Sequence, residues 1–135
     1  MAIVLGIDPG SRKTGFGIVS TETGKPCYVT SGVIRLPTES GLPIRLKVLS
    51  DSLTELIETY RPDTAAVEEV FMAKSAGSAL KLGQARGAAV VVCASAGLEV
   101  HEYAARQIKQ AVVGTGAADK EQVQHMVTRL LRLPA

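Results

Sequence analysis

The stretch AIVLGIDPGSRKTGFGIVSTE, residues 2–22, places one carboxylate, Asp8, straight after an apolar run, and then supplies a Pro-Gly turn and a second run that alternates. AIVLGID reads as a buried strand, and TGFGIVSTE and the later CYVTSGVIRL alternate as two further strands of a meander, with Glu22 to Lys25 as a hairpin turn. Downstream, PIRLKVLSDSLTELIETYRPD carries Leu46, Leu49, Leu53, Leu56, Ile57 and Tyr60 at helical spacing, and Pro62 stops it. TAAVEEVF is β-branched and short enough for a strand. SALKLGQARGAAVVVCASAG then reads as a long helix ending at a glycine, and LEVHEY as another strand. The order is βββαβαβ. Near the end Asp119 can cap a helix with Gln122 as its partner, over an apolar stripe of Val123, Met126, Val127, Leu130 and Leu131. A meander followed by αβαβ predicts a mixed sheet with helices on its faces.

At 135 residues the chain holds one ordinary core, so residues 1–135 are expected to form a single domain. With 46% hydrophobic and 21% charged residues it has a globular composition, and no run approaches the roughly 20 apolar residues of a membrane span. The apolar start has no basic leader and meets Asp8 at once, which argues against a signal peptide and for the cytoplasm. Cys27 and Cys93 stand far apart without CxxC spacing, and both are expected to be reduced core residues. The net charge of +2 is unevenly divided: 7 basic and 9 acidic residues lie up to Val70, and 8 basic and 4 acidic follow. That positive second half is compatible with a polyanion, although a mildly basic face is also ordinary solvated surface.

Asp before Pro-Gly is common turn chemistry. The alternative is that a carboxylate at the carboxyl end of a central strand, beside a glycine-containing loop, holds a hard cation. Gly10 and Gly15 have P-loop spacing, but Phe16 and Gly17 stand where Lys and Ser/Thr would touch phosphate and magnesium, so a Walker ATPase is excluded. The Asp-x-Gly turn with its meander also resembles the phosphate loop of the actin and sugar-kinase class, which keeps a phosphotransferase as an alternative. The second acidic position is the pair Glu68 and Glu69, at the end of an otherwise apolar strand. Adjacent strand residues point to opposite faces, so only one of the pair can share a site with Asp8. If the two strands are parallel neighbours, one carboxylate from each converges at one sheet edge, where Mg²⁺ finds oxygen ligands. Two metals about 4 Å apart would then support phosphodiester cleavage.

Phe71 follows that strand, with Lys74 in the next loop; an aromatic beside a metal site can stack on a base, or simply cap the core. Arg106, Lys109 and Lys120 flank AVVGTGAAD, whose glycines and helix start suit phosphate. His101 and His125 lack metal spacing and read as structural or solvent-facing. Ala79, Gly83 and Gly87 recur every fourth residue, so the long helix has a nearly bare side expected to pack closely on a sheet or a partner subunit.

Three segments, GIDPGSRKTGFGI, VEEVFMAKSAGSALKLGQARGAA and EYAARQIKQAVVGTGAADKEQVQHMV, together make the chain resemble the RuvC-type Holliday-junction resolvases over essentially its whole length. The resemblance implies an RNase H-like mixed five-stranded sheet with helices on both faces. It also implies a homodimer that nicks opposed strands of a four-way DNA junction with Mg²⁺ or Mn²⁺ and cooperates with a branch-migration motor. By position, Asp8 and Glu68 match the first two family carboxylates, Phe71 the aromatic acting near the crossover, and Lys109 and Lys120 two basic residues near the scissile phosphate; Lys74 joins them as a DNA contact. The family's remaining acidic ligands fall after a stretch like LLRLPA, where this sequence ends at Ala135. The 135-residue form is therefore expected to bind metal poorly and to cut weakly, at the limit a silent junction-binding fold.

Overall fold

The structure is a computed structural model, and it describes residues 3–21, 27–69 and 76–104. The elements run β1 (Ile3–Asp8), β2 (Lys13–Ser20), β3 (Cys27–Arg35), α1 (Leu42–Tyr60), β4 (Thr64–Glu69), α2 (Ala76–Ser95) and β5 (Glu99–Ala104), the order expected from the sequence. The hairpin turn at Glu22 to Lys25, the helix expected from Asp119 and His125 lie outside the described residues.

The strands form one five-stranded sheet in the order β3-β2-β1-β4-β5. β2 is antiparallel to both β1 and β3, whereas β4 is parallel to β1 and to β5. The sheet is mixed because hairpins can only return a chain antiparallel, while α1 and α2 carry it back over a face to start the next strand in the same direction.

Period-two alternation divides the sheet into two faces. On one, Leu5, Ile7, Ile18, Ile34, Ala65 and Val67 join Leu49 and Leu53 of α1 and Ala85, Ala89 and Cys93 of α2 in a single buried cluster. Leu5, Ile18, Leu49 and Leu53 are completely inaccessible, and burying each contributes about 1.5–3 kcal/mol. Both described helices therefore cover the same face. Val4, Val19 and Ala66 are also buried but belong to the other face and lie outside that cluster.

α1 stops where Arg61 turns left-handed (φ 50, ψ 56) and donates its backbone N–H to the Ile57 carbonyl, one residue before Pro62, which cannot continue a helix.

One expectation needs correction and another is narrowed. The sheet-facing stripe of α2 is Ala85, Ala89 and Cys93; a Cβ added at Gly83 or Gly87 would meet nothing within 4 Å, so no described element packs closely on the glycines, and of the two expected partners for that side the sheet is excluded. Cys93 is a core residue, but Cys27 is exposed, because it opens the outermost strand, one flank of which has no neighbouring strand among the described residues. Neither cysteine is in a disulfide.

Candidate metal centre

β1 lies at the centre of the sheet, and its last residue is Asp8. Its parallel pairing with β4 runs from Val4 opposite Thr64 to Ile7 opposite Val67, a constant offset that sets Asp8 level with Glu68 one step further on. Residues level on parallel strands project from the same face, so both carboxylates leave the sheet together at the carboxyl ends of adjacent strands. Asp8 is exposed and Glu68 is only 8% exposed, in a strand whose Ala65, Ala66 and Val67 are fully buried. The choice between Glu68 and Glu69 that alternation leaves open thus falls on Glu68 as the partner of Asp8. Carboxylate oxygens in this arrangement suit a hard divalent cation. Among the described residues no cluster of three His, Cys, Asp or Glu side chains forms, so the pair supplies part of a coordination shell.

The loop after Asp8 is fixed by three contacts. Thr14, fully buried, donates from Oγ1 to the Gly10 carbonyl and accepts from the Gly10 N–H, both at 3.2 Å. A Cβ at residue 10 would lie 2.1 Å from the Lys13 carbonyl oxygen, so the turn closes only around glycine. Arg45 on α1 donates from Nη1 to the Ser11 carbonyl at 3.0 Å. Next to Asp8 on β2 stands Gly15, whose missing side chain leaves the approach to the carboxylate open.

On the helix-covered face, opposite to that of Asp8 and Glu68, Arg86 of α2 forms an ion pair with Glu102, which is level with Val67, tying the helix to the strand beyond β4. His101 is engaged by Glu99 at 3.0 Å, which accords with a structural or solvent-facing role. Phe71, Lys74, Lys109 and Lys120 lie outside the described residues. Sequence reasoning missed Thr14 and Arg45. A threonine four residues after a turn glycine signals a clasp only once the turn is known, and nothing local links Arg45 to Ser11.

The family described as Crossover junction endodeoxyribonuclease RuvC matches residues 4–135. The chain belongs to this family. The RuvC of Saccharophagus degradans is 63% identical over 135 residues, covering all of this chain and 78% of the relative, and that of Tolumonas auensis is 60% identical with the same coverage. A solved structure titled T. thermophilus RuvC in complex with Holliday junction substrate superposes with a TM-score of 0.73 at 30% identity, covering all of this chain and 82% of that one. The yeast mitochondrial Holliday junction resolvase, at 17% identity and a TM-score of 0.55, shares the fold. The mixed sheet is thus the RNase H-like one, and the activity is that of a crossover junction endodeoxyribonuclease; RuvC nucleases are metal-dependent. Among the described residues no helix is long and apolar enough to cross a membrane.

Proposed function

We propose that this protein resolves four-way DNA junctions during recombination and repair by paired cuts, with Asp8 and Glu68 holding Mg²⁺, or Mn²⁺ in its place, at the scissile phosphate. The observation that carries this reading is the level placement of the two carboxylates at the ends of β1 and β4. A divalent cation bound there would neutralise phosphate charge and favour ionisation of the attacking water. The chain's own residues do the positioning: Asp8 and Glu68 orient their oxygens from rigid strands, and the Gly10–Thr14 clasp keeps the loop clear of the incoming strand. In-line attack leaves a 5′-phosphate and a 3′-hydroxyl, a nick that ligase can seal.

Phe71, Lys109 and Lys120 are assigned to holding and distorting the DNA on the strength of their match to family positions, and Lys74 joins them from its place in the sequence just after Phe71. The cooperating branch-migration motor and a cytoplasmic location belong to the same reading. A homodimer would bring two such sites to opposed strands. The outward side of α2 supports it: Leu80 and Val91 are 68% and 62% exposed on either side of the open Gly83 and Gly87. Residues 1–135 are proposed to form one nuclease domain, to whose metal centre the described residues contribute two carboxylates.

The test compares cleavage of a synthetic four-way junction with that of linear duplex by the wild type and by Asp8→Asn. Junction-selective, metal-dependent nicking lost in the variant with junction binding retained is the expected result. Equal cutting of duplex, or full activity of Asp8→Asn, would refute it, and ATP-dependent phosphoryl transfer would favour the phosphotransferase alternative.

A further inference from the structure

Lys13 and Arg35 occupy directly opposite positions on the antiparallel pair β2 and β3. Both are exposed, and like charges facing each other across a ladder destabilise it. Among the described residues neither has an anionic partner, and the same holds for Arg12 just before Lys13; the ion pairs there are Lys47 with Asp51, Arg86 with Glu102 and His101 with Glu99. Three cations thus stand together at one corner of the sheet with no anionic partner among the described residues.

Their position relates them to the metal centre. Asp8 is opposite Gly15, and Lys13 lies two residues along β2 from Gly15, hence on the same face; Arg35 is its neighbour on β3. With strands about 4.8 Å apart and about 3.3 Å per residue, the Lys13 backbone lies about 8 Å from that of Asp8, and Arg35 about 12 Å away. The intervening positions are Gly15 and half-buried Val33, which raise no charged or bulky obstacle. The backbone beneath is rigid: Leu36 donates its N–H to the Arg12 carbonyl at 2.9 Å, and Arg45 holds Ser11.

We propose that Arg12, Lys13 and Arg35 form a phosphate-binding surface that grips the backbone of the nicked DNA strand on the β2–β3 side of the metal centre. The proposal rests on the nuclease reading above and adds a direction to it, since the strand leaves Asp8 over Gly15 toward the outer edge of the sheet. At a rise of about 3.4 Å per nucleotide, the distances correspond to about two to four nucleotides from the scissile phosphate. Phosphates in that track remove the repulsion between Lys13 and Arg35, so a pairing unfavourable in the free protein becomes favourable in the complex. Such contacts fix register and orientation and read no bases.

The test is equilibrium binding of a labelled four-way junction and a linear duplex without divalent metal, across about 50–200 mM salt. The triple variant Arg12→Gln/Lys13→Gln/Arg35→Gln is expected to weaken both DNAs at least tenfold and to flatten the salt dependence by about 0.9 per cation removed. Arg35→Glu serves as the structural control. It places an opposite charge beside Lys13, so Tm should hold or rise while DNA affinity falls, a divergence that a purely structural role would not produce. Affinities within twofold of wild type and an unchanged salt slope in these variants would overturn the assignment, even if an acidic protein were then found to bind the corner. A wild type that neither binds nor cuts junctions would instead count against the nuclease reading, whatever the variants do.

Discussion

Arg45, in the first turn of α1, donates from Nη1 to the carbonyl of Ser11, so the helix holds the loop that follows Asp8. Its Nε is buried without a hydrogen-bond partner, and such an orphan costs about 1–3 kcal/mol. An arginine retained at that cost for one good bond points to positioning of the loop as its use. Arg45→Ala, which removes the bond and the orphan together, should change stability by less than about 1 kcal/mol. It should nevertheless lower kcat for junction cleavage about tenfold or more, because displacements near 1 Å at a reacting centre cost up to 10²-fold. Arg45→Lys, able to reach the same carbonyl, should restore part of the loss. Single-turnover rates at saturating enzyme, set beside denaturant midpoints for the three proteins, separate positioning from folding.

Gly10 gives a sharper test of the same loop. A Cβ 2.1 Å from the Lys13 carbonyl oxygen cannot be relieved by rotating a side chain, since the obstacle is backbone. Gly10→Ala should force the turn open, break the reciprocal bonds with Thr14, and cost about 1–3 kcal/mol through exposure or orphaning of those groups. Thr14→Val leaves the turn geometry intact but removes the hydroxyl, and should cost less. Urea titrations that rank the two variants the other way would show that the clasp, rather than the close approach, sets the loop.

The element order was legible because each step had a local cause: the uninterrupted apolar run of β1, the alternation of β2 and β3, and the helical spacing of Leu49 and Leu53. Asp8 and Glu68 were also visible as charges ending apolar strands. Their level placement was legible only on the condition that the two strands are parallel neighbours, because the constant offset between β1 and β4 is a property of the crossover through α1 and of no short segment. The glycine stripe left sheet and partner subunit undivided for a related reason. Ala79, Gly83 and Gly87 have the same four-residue spacing as Ala85, Ala89 and Cys93, and spacing alone cannot say which side of a helix the sheet occupies. Cys27 was assigned to the core because it has no disulfide or metal spacing, but its place at the sheet edge is decided by pairing order. The Lys13–Arg35 opposition depends on register in the same way.

Cys93 supplies a pH dependence with a definite sign. It is fully inaccessible against the core, and burial pushes its thiol up from 9.0 to about 11. The folded state therefore keeps the proton through a range in which the unfolded chain gives it up. Stability from this group is complete below about pH 9 and is lost as pH rises through about 11. Cys93→Ala should lower stability at pH 7 by removing a buried sulfur, yet flatten the decline between pH 9 and 11. Thermal melts of the two proteins across that interval give the comparison. At neutral pH a thiol reagent should label exposed Cys27 rapidly and Cys93 only as fast as the fold opens.

Metal binding by Asp8 and Glu68 should be measurable without any cleavage. A ligand that binds only the folded protein stabilises it by RT ln(1 + [L]/Kd), about 2.7 kcal/mol at a hundred times Kd. Mn²⁺ or Mg²⁺ should therefore raise the Tm of the wild type in a concentration-dependent way, while Ca²⁺, which tolerates looser oxygen shells, need not follow the same order. Asp8→Asn and Glu68→Gln each remove one anionic ligand and should abolish most of that shift while leaving the metal-free Tm within a few degrees. Glu99→Gln, at the opposite end of the β4–β5 pairing from the site, should shift with metal as the wild type does. If all four proteins shift alike, the ion is bound elsewhere, and the level pairing of the two carboxylates would have no part in holding it.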